Sequence, residues 1–154
     1  MKKLILPLFL GTMIFTSCEK KAETKQAFDL ESAKKEIAEA NLAFETAVSK
    51  SDSIGLANLY TTDTKWMNPN APAVEGRAAL VSTISQSLKA GIGSAKLTTA
   101  EVWGDENYVT EEGNYKLFAK DGKEIDKGKY LILWKNRCLA YLLKRNCVWQ
   151  AVGA

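Results

Sequence analysis

Leu30, Ala33, Ile37, Ala40, Phe44 and Ala47 recur at steps of three and four. That spacing puts them on one face of a helix. Asp29 stands where a cap is needed, and Glu31 lies in the first turn, where the helix dipole favours negative charge. Lys34, Lys35, Glu36 and Glu39 fall largely elsewhere, so they are solvated. The pattern predicts a first helix running to about Val48. Ser51-Asp52-Ser53 offers a second cap and predicts a short helix through Leu56, Leu59 and Tyr60. Thr61 to Asn68 reads as extended, ended by Pro69 and Pro72. A third helix starts near Gly76-Arg77, carries Leu80, Ile84 and Leu88 on one stripe, and stops at Gly91 and Gly93.

The second half alternates instead. Lys96 to Trp103 is rich in Thr, Val and aromatics, Gly104-Asp105 is a turn signal, and Tyr108 to Ala119 is the next strand. Gly113 within it predicts a bulge that bends the sheet. Asp121-Gly122 is a hairpin signal, followed by a strand from Ile125 to Lys135. In that strand Tyr130, Ile132 and Trp134 point one way, and Leu131 and Leu133 the other. A strand apolar on both faces needs cover on both, which predicts a homodimer. Three helices followed by a meander argue for an α+β fold, with helices on one face of a curved antiparallel sheet.

The N-terminus has another character. Met1-Lys2-Lys3 is positive, and Leu4 to Phe15 is an apolar run interrupted by Pro7, Gly11 and Thr12. It is shorter than the roughly 20 residues of a membrane span and has the length of a signal-peptide core. Thr16, Ser17 and Cys18 follow. A Cys directly after a short apolar run and two small residues resembles the lipobox of bacterial lipoproteins, in which the thiol is acylated and the chain is cut just before it. Residues 1–17 are thus expected to be a signal peptide, 18–27 a polar tether and 28–154 the domain. Acyl chains on Cys18 would hold the domain at a membrane of the bacterial envelope, in the periplasm or at the cell surface.

Composition narrows the chemistry. The 154 residues contain no histidine, which removes Ser-His-Asp and Cys-His nucleophiles, His zinc sites and any His general base. Nothing resembles a phosphate loop or a metal cluster, and no cofactor is expected. The net charge of +3 is too small to argue for nucleic acid. Without Lys2 and Lys3, 19 basic residues stand against 18 acidic.

The order of short motifs carries a resemblance. Asp52, Leu59-Tyr60, Asp63, Trp66-Met67-Asn68-Pro69 and Val74-Glu75-Gly76-Arg77 are followed by Glu112-Gly113-Asn114-Tyr115. Asp121-Gly122-Lys123, Gly128-Lys129-Tyr130-Leu131 and Trp134-Lys135 complete the series. Over residues 28–136 this resembles the SnoaL-like group, which includes domain of unknown function 4440, within the nuclear-transport-factor-2-like or ketosteroid-isomerase-like superfamily. The resemblance implies a cystatin-like cone, a bent sheet wrapped around a long N-terminal helix with a pocket between them. It also implies pairing through the outer face of the sheet.

The resemblance implies a Gly-x-Trp and a final strand after Lys135-Asn136, but Arg137 to Ala154 reads RCLAYLLKRNCVWQAVGA. Arg-Cys-Leu-Ala-Tyr can be encoded so that reading one base later gives Gly-Val-Trp-Leu-Ile. A shifted frame near Arg137 is one reading. A divergent true strand is the other, since Leu139, Tyr141 and Leu143 alternate. Cys138 and Cys147 would lie roughly 30 Å apart on one straight strand, beyond disulfide reach.

Three functions follow as expectations, the last of them a purely structural association module whose cone is filled by its own side chains. The first is a lipid-anchored module binding a small apolar ligand or a protein partner. Trp66, Met67, Trp103, Tyr115, Tyr130 and Trp134 are the candidate pocket lining, because aromatic and Met side chains suit an apolar or flat ligand. The second is proton transfer by an isomerase, dehydratase or cyclase. Ketosteroid isomerase works without histidine, by a carboxylate base and an oxyanion hole containing a Tyr. Asp63, Glu112 and Tyr60 are the candidates here, each with a plain structural alternative: a turn or cap for Asp63, free backbone groups for Glu112, core packing for Tyr60. Arg77 either holds an anion or ties Glu75 or a nearby carbonyl.

Overall fold

A computed structural model of the chain describes residues 28–68, 70–136 and 149–153. Helix α1 (Leu30–Ser49) begins at Asp29, whose side chain accepts from the Glu31 N–H at 3.1 Å. Its buried face carries Ala33, Ile37, Asn41, Ala47 and Val48. The predicted stripe is there, but a polar residue, Asn41, sits in the middle of it. Helix α2 (Ser53–Ala57) is capped by Asp52, which accepts from the Gly55 N–H at 2.8 Å. It stops short of Tyr60, which opens strand β1 (Tyr60–Trp66) instead. A two-residue strand β2 (Val74–Glu75) leads into α3 (Arg77–Lys89), which buries Leu80, Ile84 and Leu88. Gly76 caps α3 at φ 83°, a conformation that favours glycine. Arg77 Nε donates to the Tyr60 carbonyl at 3.1 Å, and its terminal nitrogen donates to the same oxygen, so α3 is pinned to the start of β1. Of the two readings of Arg77, it is the carbonyl tie that the structure contains.

Three long strands follow: β3 (Ile92–Gly104), β4 (Tyr108–Ala119) and β5 (Glu124–Asn136). A short β6 (Trp149–Gly153) closes the sheet, whose order is β2-β1-β6-β5-β4-β3. All pairings are antiparallel except β1 with β6. Strand β3 starts earlier than expected, and Gly93 lies inside it: a Cβ there would stand 2.7 Å from the Lys120 backbone. The register of β3 on β4 shifts between Thr99 and Glu101, so the extra residue lies in β3, opposite Gly113 and Glu112 rather than in Gly113's own strand. At the free edge of β3, the Leu97 N–H donates to Glu45 of α1 at 2.8 Å, so the helix satisfies an edge group.

Inner and outer faces follow from burial. Ala95, Val102, Val109, Ile132 and Trp134 are buried against Ile37, Val48, Leu56 and the α3 stripe. This is the helix-against-curved-sheet α+β architecture expected. Cys18, residues 1–27, and 137–148 with Cys138, Leu139, Tyr141, Leu143 and Cys147 lie outside the described residues. Residues 149–153 form β6, between β1 and β5, so the tail supplies a strand beside the long meander. Among the described residues no helix is long and apolar enough to cross a membrane.

Candidate functional site

The inner face of β4 carries Val109, Glu111, Gly113, Tyr115 and Leu117 in alternation. Glu111 is therefore inside, and its side chain is fully buried. Its Oε1 accepts from Asn41 Nδ2 at 2.7 Å, from Thr99 Oγ1 at 2.6 Å and from the Tyr130 hydroxyl at 2.7 Å. Its Oε2 accepts from Trp134 Nε1 at 3.0 Å. One carboxylate thus joins α1, β3, β4 and β5. A buried charge is tolerated only with such pairing.

Gly113 makes the arrangement possible. It lies directly across from Tyr130, and a Cβ on it would stand 2.3 Å from the Tyr130 ring. Without a side chain there, the ring lies over β4 and its hydroxyl reaches Glu111. Burial pushes the Tyr130 hydroxyl well above its ordinary range, and the hydrogen bond to Glu111 and the charge of Glu111 add to this. Tyr60, deep in the core and 5.4 Å from the Trp66 ring centre, is also raised, first by burial and then by the charges of Glu111 and Tyr130.

The residues singled out from the sequence do not converge. Of the proton-transfer candidates, Tyr60 is in the core, Asp63 is exposed on β1, and Glu112 is on the outer face of β4. Of the candidate lining, Tyr130 and Trp134 face inward on the Glu111 cluster. Tyr115 lies over Gly128 and donates to Asp126 at 3.0 Å. Trp66 is half-buried and donates to Asn68 at 2.8 Å. Met67, 63% exposed, and Trp103, 41% exposed, lie outside the core. Glu111, Asn41 and Thr99 had a signal in the pattern. Glu111 alternates with Val109 and Tyr115, and Asn41 stands one helical step from Ile37 on the apolar stripe.

The outer face reads as rows across β3, β4 and β5. Trp103, Thr110 and Leu133 form one row, and Glu101, Glu112 and Leu131 the next. Tyr108 and Lys135 lie on the other side of the first row, with Lys135 Nζ 5.9 Å from the Tyr108 ring centre. Trp103, Leu131 and Leu133 are 41%, 57% and 40% exposed and form an apolar patch on the outer face of the sheet. Among the described residues no cluster of three or more His, Cys, Asp or Glu is placed to hold a metal ion.

No family model and no curated protein matches the sequence. Solved structures do match the fold. An NTF2-like protein with a cystatin-like fold from Novosphingobium aromaticivorans superposes with a TM-score of 0.68 at 18% identity, over 80% of each chain. A ketosteroid isomerase-like protein from Erwinia carotovora atroseptica gives 0.59 at 21% identity, over 82% of this chain and 94% of that one. A protein of unknown function with a cystatin-like fold from Nostoc punctiforme gives 0.63 at 14% identity, over 83% and 90%. At these identities the likeness speaks to fold: the chain has the cystatin-like α+β fold shared by NTF2-like and ketosteroid isomerase-like proteins.

Proposed function

We propose that the chain is a lipid-anchored, SnoaL-like association module of the bacterial envelope, working as a pair of copies joined across the outer sheet face. The observation that carries this is the exposed row of Trp103 and Leu133 beside Leu131, on the side of the sheet away from the helices. Each of these side chains would contribute on the order of 1–2 kcal/mol on burial. Charge favours a second copy as the occupant. A two-fold axis on the Trp103–Thr110–Leu133 row sets apolar against apolar. It also brings the Tyr108–Lys135 row of one copy over the Glu101–Glu112–Leu131 row of the other, so that Lys135 lies over Leu131 and beside Glu112.

Binding is better supported than proton transfer, because the buried carboxylate of the inner face already holds four donors and the other candidates lie apart. An apolar ligand in the cone belongs to the same reading, with Tyr130 and Trp134 as its inner wall.

Oxidative cross-linking in membranes tests the pairing. Thr110→Cys, on the axis, should give a dimer-sized band that the parent chain lacks and that Leu133→Lys abolishes. A Thr110→Cys chain that stays monomeric contradicts the reading. The anchor is tested separately: Cys18→Ser should move the chain out of the lipid-modified membrane fraction.

A further inference from the structure

The far end of the outer face is unlike the apolar end. Lys96, Lys116 and Lys127 are direct cross-strand partners, forming one row across β3, β4 and β5. The adjoining row is Thr98, Asn114 and Lys129. Neighbouring strands lie about 4.8 Å apart, so the three lysines of the first row spring from within about 10 Å of one another. Like charges directly opposite each other on a sheet oppose folding. General basicity does not account for them, because the whole chain carries only +3.

The acidic groups nearby offset this only in part. Glu124 lies 2.9 Å from Lys116 and 3.7 Å from Lys127, and Glu45 lies 3.3 Å from Lys96. Asp126 takes the Tyr115 hydroxyl. Lys129 makes no ion pair among the described residues. The lysines also surround a space: a cavity of about 410 Å³ is lined by all four, with Thr98, Asn114, Tyr115 and Gly128.

We propose that this cavity binds an organic molecule bearing a phosphate group. The lysines supply the positive charge that a phosphate dianion needs, as point-charge donors. Thr98 and Asn114 add neutral hydroxyl and amide donors in the row between the lysines and the acidic row. The cavity is larger than a bare phosphate, which leaves room for an organic part beside it. The site does not depend on the pairing of copies. Along β5, Lys129 and Lys127 lie four and six residues from Leu133, or about 13 and 20 Å.

The test uses the isotope-labelled full chain in zwitterionic detergent micelles, read by its backbone amide resonances. Phenyl phosphate is titrated against sodium chloride of equal ionic strength. In a second arm, phosphatidylglycerol is added to the micelles, which separates a lipid headgroup from a soluble phosphate ester. A saturating response at Thr98, Asn114 and Lys129 in either arm supports the site, and the arm that responds names the source. Lys116→Gln and Lys129→Gln should each weaken that response about two- to fivefold. Glu124→Gln, which releases Lys116 and Lys127, should strengthen it by a similar factor. Shifts that follow sodium chloride in both arms, or that all three variants leave unchanged, overturn the proposal.

Discussion

Replacing Glu111 with Gln changes one oxygen to an amide nitrogen and almost nothing else in shape. Oε1 faces Asn41, Thr99 and Tyr130, and Oε2 faces Trp134. Asn41 Nδ2 and Trp134 Nε1 can only donate. Whichever way the new amide turns, its own N–H groups meet a donor. The less costly placement puts the nitrogen against Trp134. One bond is then lost, two donors are buried without partners, and three bonds lose charge assistance. Charge-assisted bonds contribute about 1.5–3 kcal/mol each and an orphaned donor costs about 1–3 kcal/mol. With partial relaxation the sum is about 3 kcal/mol, a large share of the 5–15 kcal/mol typical of a domain. Urea unfolding followed by tryptophan fluorescence measures it. Trp134→Phe provides a control: in the Glu111→Gln background it removes the opposing donor, so the double variant should lose less than the sum of the singles. A Glu111→Gln chain within 1 kcal/mol of the parent, or strict additivity with Trp134→Phe, would refute the account of Glu111 as the brace between helix and sheet.

Other outcomes follow from the same packing. Gly113→Ala drives a methyl into the Tyr130 ring and should cost about 1–3 kcal/mol in thermal or urea unfolding, with an added quenching change as Tyr130 leaves Glu111. Leu80→Ala, at a fully buried position of α3, should cost about 2–5 kcal/mol by the same assay. The raised Tyr130 hydroxyl makes an alkaline prediction. The unfolded chain loses this proton near pH 10 and the folded one higher, so the contribution is full below about pH 10 and is lost as pH rises through the folded value. A pH series of unfolding midpoints should show a decline there that Tyr130→Phe reduces. At the other end, the Asn107 and Tyr108 backbone N–H groups hold Asp105 below the usual carboxylate range. Its contribution is present above about pH 4 and fades as pH falls through the lowered value, a slope that Asp105→Asn should flatten.

The helices and the long meander were legible because each is set by local signals. Asp29 and Asp52 cap where their spacing said, and the Leu80–Ile84–Leu88 stripe is the buried side of α3. The two faces of β5 were legible for the same reason, since alternation needs no partner to be read. The Glu111 cluster was not, because it is assembled by residues 12 to 70 positions apart, and a sequence does not state which strand faces which. The choice of Glu112 over Glu111 illustrates this. The two are adjacent, and only the register with Tyr130 and Trp134 decides which one points inward. The bulge moved for a related reason: Gly113 marks it, but the extra residue lies in the strand across from the glycine, which needs no side-chain room there. Strand β6 escaped the pattern because its placement between β1 and β5 is a matter of sheet order, with one parallel and one antiparallel neighbour.

The pairing of copies is the central functional claim, and native mass spectrometry of residues 19–154 tests it most directly. The account predicts a dimer for the parent sequence and a folded monomer for Leu131→Lys with Leu133→Lys, since both positions lie on the outer face and neither enters the core. A parent chain that is monomeric at micromolar concentration, or a lysine variant that stays dimeric, would contradict it.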